Sequence, residues 1–149
     1  MQRIRVSKRF TFDTAHALMN HNGPCRNIHG HTYHLTVTLR GYISNERGAG
    51  HDGMVMDFSD FNTIVKTHLI DKYDHALVLN AASNEALLMK QNAAEGKFII
   101  HDFQPTCENM LLHFKTVLSG LFPPGVELFS LRLEETPSSH ADWFATDNE

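Results

Sequence analysis

Two long stretches of alternating side chains constrain the fold of this chain more than any other feature of its sequence. Residues 3–16 carry mostly apolar side chains at even positions, and residues 29–41 carry them at odd positions. Because successive side chains of a strand point to opposite faces, both stretches predict long strands with one buried face. The other face is polar and rich in threonine, which is typical of a half-solvated antiparallel sheet.

Helical spacing and capping residues follow the second strand. Asp57 or Ser59 can cap a helix that runs to about Lys72, and Thr106 can cap a second amphipathic helix that ends at residues 123–125. Since strand and helix runs are segregated, we expect an α+β fold, an antiparallel four-stranded sheet with two helices on one face. Shorter strands are predicted at residues 54–56, in the apolar run after Tyr73 and at residues 98–100, and the last strand is predicted from Val126 to about Thr136.

The 149 residues fit one domain. Residues 1–136 hold all the strand and helix patterns and form the single predicted domain. Within it, residues 81–97 have few large apolar side chains and are predicted to be an insertion or a short peripheral helix. Residues 137–149 are predicted to form a loose polar tail.

Charge and hydropathy exclude several classes of protein. The formal net charge is −4, from 17 acidic and 13 basic residues, which argues against nucleic acid as a partner. No apolar run is long enough to predict a membrane span, and no signal-peptide core precedes the first strand. We therefore expect a cytoplasmic protein. Cys25 and Cys107 form no CxxC pair and are expected to be free thiols.

Three of the 11 histidines fall on the buried faces of the two long strands. If these strands pair as antiparallel neighbours, His16 at the end of the first meets His29 and His31 at the start of the second. Three imidazoles suit Zn²⁺ and leave a fourth position for water or substrate. Three ordinary core histidines are the less favoured reading, because burying imidazoles without partners is costly. Cys25 as a fourth ligand would instead make a closed, structural site.

Two further groups can carry proton chemistry. Cys25 lies four residues before His29 and next to Arg26, and a nearby metal and a cation both favour the thiolate form of a cysteine. Cys107 opens a helix and is better explained as an inert buried thiol. Asp74 and His75 can pair only if they occupy a turn, in which case the carboxylate orients the imidazole. A plain surface turn is the alternative.

Glu135 extends the apolar face of the last strand, and Thr106 and Glu108 are grouped with it as candidate binding residues. A carboxylate on such a face is costly unless a ligand or partner satisfies it. An amino-pyrimidinone ring offers two donors to a carboxylate and would satisfy it, while a simply exposed strand end is the alternative. Strand alternation places Glu135 on the same side as three apolar residues, Phe129, Leu131 and Leu133.

Taken together, these motifs resemble those of the 6-pyruvoyltetrahydropterin synthase / 6-carboxytetrahydropterin synthase family over nearly the whole chain. The matching runs are FDTAH at residues 12–16, CRNIHGH at 25–31, DH at 74–75, PTCEN at 105–109 and ET at 135–136.

This resemblance implies a tunnelling fold, in which subunits join their sheets into a β-barrel and form homohexamers as dimers of trimers, with active sites between subunits. It implies 7,8-dihydroneopterin triphosphate as substrate. The implied roles are Zn²⁺ binding by His16, His29 and His31, proton transfer by Cys25, Asp74 and His75, pterin anchoring by Glu135, and a place in the pterin pocket for Thr106 and Glu108.

The spacing before the histidine pair distinguishes two branches of the family. Three residues separate Cys25 from His29 here, which resembles the queuosine-pathway enzymes, whereas five resemble the biopterin-pathway enzymes. The implied activity is that of 6-carboxy-5,6,7,8-tetrahydropterin synthase, a carbon–carbon lyase that releases acetaldehyde and triphosphate. The alternatives are a 6-pyruvoyltetrahydropterin synthase, which stops after eliminating triphosphate, and a non-catalytic zinc- or pterin-binding module.

Overall fold

The two alternating stretches form the central pair of strands. The computed structural model describes residues 2–91 and 95–148. Strand β1 (Arg3–His16) pairs antiparallel with β2 (His29–Tyr42) over its full length, so that Arg3 lies opposite Tyr42 and His16 lies opposite His29. The predicted strands, their pairing and their buried faces are therefore confirmed.

The sheet has six strands and is mixed, so the prediction of four antiparallel strands is wrong. Besides β1 and β2 it contains β3 (Ala76–Asn80), β4 (Phe98–His101), β5 (Val126–Thr136) and β6 (Ser139–Phe144), in the spatial order β4-β3-β1-β2-β5-β6. Strand β3 (Ala76–Asn80) runs parallel to β1, and β4 (Phe98–His101) runs parallel to β3. The helical segment after β2 crosses over the sheet and returns the chain in the direction of β1, which makes a parallel neighbour. On the other side lies β5 (Val126–Thr136), antiparallel to β2.

The C-terminal segment is part of the sheet rather than a loose tail. Residues Ser139–Phe144 form β6, which pairs antiparallel with β5. The Arg132 guanidinium donates to both carboxylate oxygens of Asp142, at 2.7 and 2.8 Å, and Trp143 packs against the core. Pairing and burial together order a segment whose composition is polar.

The helices cover one face of the sheet. Helix α1 (Phe58–Val65) is capped by Asp57, whose carboxylate accepts from the Ser59 amide at 2.6 Å. It continues through a π-helical turn (Lys66–Ile70) into α2 (Asp71–Tyr73). Helix α4 (Cys107–Leu118) is capped by Thr106, as predicted. The segment predicted at residues 81–97 contains α3 (Asn84–Gln91), while its residues 92–94 lie outside the described residues.

Two local predictions are wrong. Residues 54–56 are not a strand, because the chain there closes a loop in which the Ser44 amide donates to the Met54 carbonyl. Phe129 does not face the core. The β2–β5 register shifts between Thr38 and Leu39, and the irregularity turns the Phe129 ring to the polar face, 3.8 Å from the Arg5 guanidinium carbon.

The core lies between the helices and the inner face of the sheet. Phe12 and Tyr33 stack there with ring centroids 5.5 Å apart, and Phe114 of α4 packs edge-on to Phe12 at 6.1 Å. All three side chains are almost fully buried. Within the described parts of the chain, no helix combines the length and the apolar character that crossing a membrane requires.

Candidate metal centre and active site

Three histidine rings converge where β1 ends and β2 begins. The Nε2 atoms of His16 and His29 are 3.1 Å apart, and the His31 ring centroid is 5.2 Å from that of His16 and 5.0 Å from that of His29. Each ring offers a ligand nitrogen within 4.8 Å of the others. The cross-strand register and the two-residue spacing of His29 and His31 bring them together, as the strand pattern predicts.

Backbone carbonyls orient two of these rings. The Nδ1 atom of His16 lies 2.8 Å from the Pro105 carbonyl oxygen, and that of His29 lies 2.8 Å from the Asn27 carbonyl oxygen. Because a carbonyl only accepts, both Nδ1 atoms carry the proton and both Nε2 atoms present a lone pair. Two lone pairs facing at 3.1 Å repel each other unless a cation lies between them. Histidines anchored through the other ring nitrogen are characteristic of metal sites.

The charge state of His16 also favours metal binding. Burial of the ring lowers its pKa, although the Pro105 carbonyl opposes this shift. The neutral imidazole that results is the form that binds a metal. The donor set, its tautomers and its charge state therefore fit a divalent ion such as Zn²⁺ with an open coordination position.

Cys25 lies beside this centre but outside the ligand cluster. It occupies a 3-10 turn (Pro24–Arg26), and its carbonyl accepts from the Leu18 amide at 2.9 Å. Among the described residues, the set of ligand atoms within 4.8 Å of one another around His16 does not include its sulfur. The thiol is half-buried. Within the described residues, the three histidines form the candidate ligand set.

Glu135 is held beside the three histidines by Tyr33. The Tyr33 hydroxyl donates to Glu135 Oε1 at 3.0 Å, and the same oxygen is 3.7 Å from His16 Nε2. Burial, with the nearby Glu135 carboxylate, raises the pKa of Tyr33 well above its ordinary value, so its hydroxyl stays a donor. The Glu135 side chain is 25% exposed, and a ligand can reach it.

The start of α4 packs against β5, the strand that carries Glu135. The Thr106 side chain accepts from the Asn109 amide at 3.3 Å, so its hydroxyl already has a capping role, and Glu108 is exposed on the first helical turn. Between them, the Cys107 thiol donates to the Leu133 carbonyl at 3.3 Å. Burial, with the charges of Glu135 and Glu108, raises the pKa of Cys107 to about 12, which agrees with its predicted inertness.

Asp74 and His75 occupy a turn and pair with each other, as the sequence allows. His75 Nδ1 is 3.0 Å from Asp74 Oδ2. The Asp13 backbone holds both residues: its amide donates to Asp74 Oδ1 at 3.0 Å, and its carbonyl accepts from the His75 amide at 2.6 Å. The hydrogen bond from Asp13, assisted by His75, lowers the pKa of Asp74 despite slight burial.

This pair lies on the opposite face of the sheet from the three histidines. Asp13 and Thr32 join side chains across β1 and β2 on the polar face, at 2.6 Å, and a groove of about 560 Å³ there is lined by His75, Lys97 and both of these residues. His31 also lines this groove, but alternation turns its ring to the core side, against Tyr33 at 5.6 Å. One chain therefore does not bring Asp74 and His75 to the histidine cluster.

Sequence reasoning missed three contributors. Tyr33 was recognisable, because it continues the alternation of His29 and His31 on the same face. Asp13 binds through its backbone, and Lys97 is the neighbour of a turn far from it in sequence, so neither gave a signal that alternation or spacing could reveal.

Comparison with known proteins shows which family this chain is similar to. The model of the family described as 6-pyruvoyl tetrahydropterin synthase matches residues 5–145. A 6-carboxy-5,6,7,8-tetrahydropterin synthase of Haemophilus influenzae is 34% identical over 145 residues, which are 94% of this chain and 98% of the relative. A relative of the same name from Rickettsia felis is 28% identical over 137 residues, or 91% of this chain and 96% of the relative.

Solved structures show the same fold. An uncharacterized protein from Wolinella succinogenes superimposes with a TM-score of 0.77 at 21% identity, over 97% of this chain and 99% of the other. The 6-pyruvoyl tetrahydropterin synthase of Caenorhabditis elegans superimposes with a TM-score of 0.69 at 22% identity, over 97% of both chains. At these identities, the likeness supports the architecture.

Proposed function

The chain belongs to the 6-pyruvoyl tetrahydropterin synthase family, and within it we propose a zinc-dependent 6-carboxy-5,6,7,8-tetrahydropterin synthase. The proposed reaction takes 7,8-dihydroneopterin triphosphate and water to 6-carboxytetrahydropterin, acetaldehyde and triphosphate, as a carbon–carbon lyase of queuosine biosynthesis. The names of the relatives from Haemophilus influenzae and Rickettsia felis support this branch. The three-residue spacing between Cys25 and His29 supports it as well.

The observation that carries the proposal is the pair of carbonyl-anchored imidazoles. His16 and His29 direct their Nε2 lone pairs toward each other at 3.1 Å, with His31 completing the cluster. These three residues would hold Zn²⁺. The bound ion would supply Lewis acidity toward the side-chain oxygens of the substrate.

Glu135 is suited to recognise the pterin ring. Its carboxylate is oriented by the Tyr33 hydroxyl through Oε1, and it can accept the two N–H donors of an amino-pyrimidinone edge. Its position 3.7 Å from His16 Nε2 would put the pterin next to the metal ligands. Thr106 and Glu108 would border the ring from the start of α4.

Proton transfer is assigned to Cys25 together with Asp74 and His75. Asp74 and His75 form a group separate from the three histidines and face the groove on the polar side of the sheet, so one chain does not complete this set. We therefore include in the proposal a cytoplasmic homohexamer, a dimer of trimers, in which a neighbouring subunit brings its Asp74 and His75 to the site. In such a site Asp74 orients the imidazole, and the thiol and the imidazole remove and return protons on the substrate side chain.

An acetaldehyde assay tests the proposal. Zinc-loaded protein incubated with 7,8-dihydroneopterin triphosphate should release acetaldehyde, measured through NADH consumption by alcohol dehydrogenase, together with triphosphate. Release of triphosphate with a 6-pyruvoyl product and no acetaldehyde would instead assign the chain to the 6-pyruvoyl branch. Absence of turnover by metal-loaded protein would leave a binding module and refute the enzymatic proposal.

A further inference from the structure

We infer that Lys97 is a positioning residue for the Asp74–His75 pair, holding the turn that aims the imidazole. The inference rests on the proposed function in so far as His75 transfers protons. The hold on the turn is a property of the free protein and can be measured without substrate.

The turn needs support because His75 has a left-handed backbone. Its φ is +60°, and the other described residue of this kind apart from glycine is Asn20, a residue type that tolerates the conformation. Any residue with a Cβ pays a steric cost for this conformation. Such strain persists where surrounding contacts over-determine the backbone, and it concentrates at functional sites.

Two partners hold the peptide plane between Asp74 and His75 from its opposite sides. The Lys97 ammonium donates to the Asp74 carbonyl at 2.6 Å, and the Asp13 carbonyl accepts from the His75 amide at 2.6 Å. In a trans peptide the C=O and N–H bonds point in opposite directions, so contacts at both ends fix the orientation of the plane. That orientation sets ψ of Asp74 and φ of His75.

Lys97 is itself well placed to act on this turn. Its ammonium also donates to the Asp71 carbonyl at 2.5 Å, which satisfies a free carbonyl at the end of the helical segment where a cation is favourable. Its backbone carbonyl accepts from the Leu77 amide at 2.9 Å, at the start of the β3–β4 pairing. The lysine therefore reaches the turn from a fixed position immediately before β4.

Lys97 and His75 line the same groove, so a lysine that binds substrate phosphate is the competing explanation. The two roles differ in kinetics. Loss of a phosphate contact raises KM, whereas loss of a positioning contact lowers kcat at nearly constant KM.

The experiment compares Lys97→Met, Lys97→Arg and the control Lys90→Met in the full-length protein. Lys90 is an exposed lysine of α3 outside this cluster. Hydrogen exchange of the His75 amide, followed by mass spectrometry on overlapping peptides, should be about tenfold faster in Lys97→Met, because the opened turn releases the bond to Asp13. Lys97→Arg should restore protection, and exchange in the β1–β2 pair should stay unchanged in every variant.

Kinetics on the same proteins complete the test. We expect kcat of Lys97→Met to fall about tenfold with KM within about twofold, and Lys97→Arg to recover most of kcat. Unchanged exchange at His75 overturns the inference whatever the activity, and a raised KM with unchanged kcat overturns it in favour of phosphate binding. If exchange at His75 is faster in Lys97→Met but the wild-type protein has no turnover, the positioning role of Lys97 stands. Only the proposed function is then refuted.

Discussion

Replacing Tyr33 by phenylalanine removes one hydrogen bond on which the candidate pterin site depends. The Tyr33 side chain has no exposed surface, and its hydroxyl donates to Glu135 Oε1 at 3.0 Å. Phenylalanine keeps the ring that stacks on Phe12 at 5.5 Å, so packing of the core should survive. The change therefore isolates the contact to the carboxylate.

The expected loss in the free energy of unfolding follows from the surroundings of Tyr33 and Glu135. A hydrogen bond to a charged acceptor contributes roughly 1.5–3 kcal/mol, and leaving the acceptor unpaired costs most when water cannot replace the donor. Because Glu135 is 25% exposed, water can reach it in part, which puts the cost near the lower end, at about 1.5 kcal/mol. For a chain of this size that free energy corresponds to a fall in Tm of about 3–6 °C.

Thermal unfolding at fixed protein and zinc concentrations measures this cost, since both ligand and subunit concentration change Tm. Tyr42→Phe is the matched control, because Tyr42 is 46% exposed and lies at the far end of β2. In kinetics, a Glu135 that is no longer held should raise KM by up to about tenfold, the factor that corresponds to 1.4 kcal/mol. A Tyr33→Phe protein with the Tm and KM of the wild type would show that this contact neither stabilises the fold nor orients Glu135.

Three further predictions concern the metal, the thiol and the turn. Removing metal with a chelator should lower Tm, and restoring Zn²⁺ at about 1,000 times Kd should recover about 4 kcal/mol of stability; His29→Ala should abolish the response, and a full response in that variant would contradict the assigned ligand. Cys25→Ala should keep bound zinc and lose turnover, whereas loss of zinc measured by atomic absorption would favour a four-ligand site. Asp74→Asn should cost about 0.5 kcal/mol at neutral pH, a small value because the carboxylate is 40% exposed. Since the pKa of Asp74 is lowered by folding, this stability is complete above the ordinary aspartate pKa of about 4 and is lost as the pH falls below it; a cost that persists in urea titrations at low pH would refute the electrostatic explanation.

Local sequence signals predicted much of the fold because they act within one segment. Alternation with a period of two assigns every residue of β1 and β2 to a face, and it thereby groups His16, His29 and His31 before any contact is known. Capping is equally local, since Asp57 and Thr106 each satisfy amide groups only two or three residues away.

Contacts between distant segments were beyond the reach of those signals. A short apolar run does not show whether it pairs in a parallel or an antiparallel direction, so β3 and β4 were assigned to the wrong kind of sheet. Polar composition hid β6, whose order depends on the partner strand and on the salt bridge between Arg132 and Asp142. The Phe129 ring points toward Arg5 because the register of the β2–β5 pairing shifts nearby. Such a shift moves a side chain to the other face of the sheet and cannot be read from the neighbouring residues in the sequence.

The candidate site also has a part that local sequence signals predicted and a part that depends on contacts between distant segments. By itself, the sequence determined which three histidines share a buried face and that Cys25 precedes them closely, because strand geometry is repetitive and needs no partner. Only the tertiary structure decided that Tyr33 holds Glu135 beside His16, that Lys97 and Asp13 hold the strained turn of His75, and that this turn faces away from the histidines. The face on which a turn lies depends on the pairing of β3 with β1, and that pairing arises from contacts about 60 residues apart in the chain.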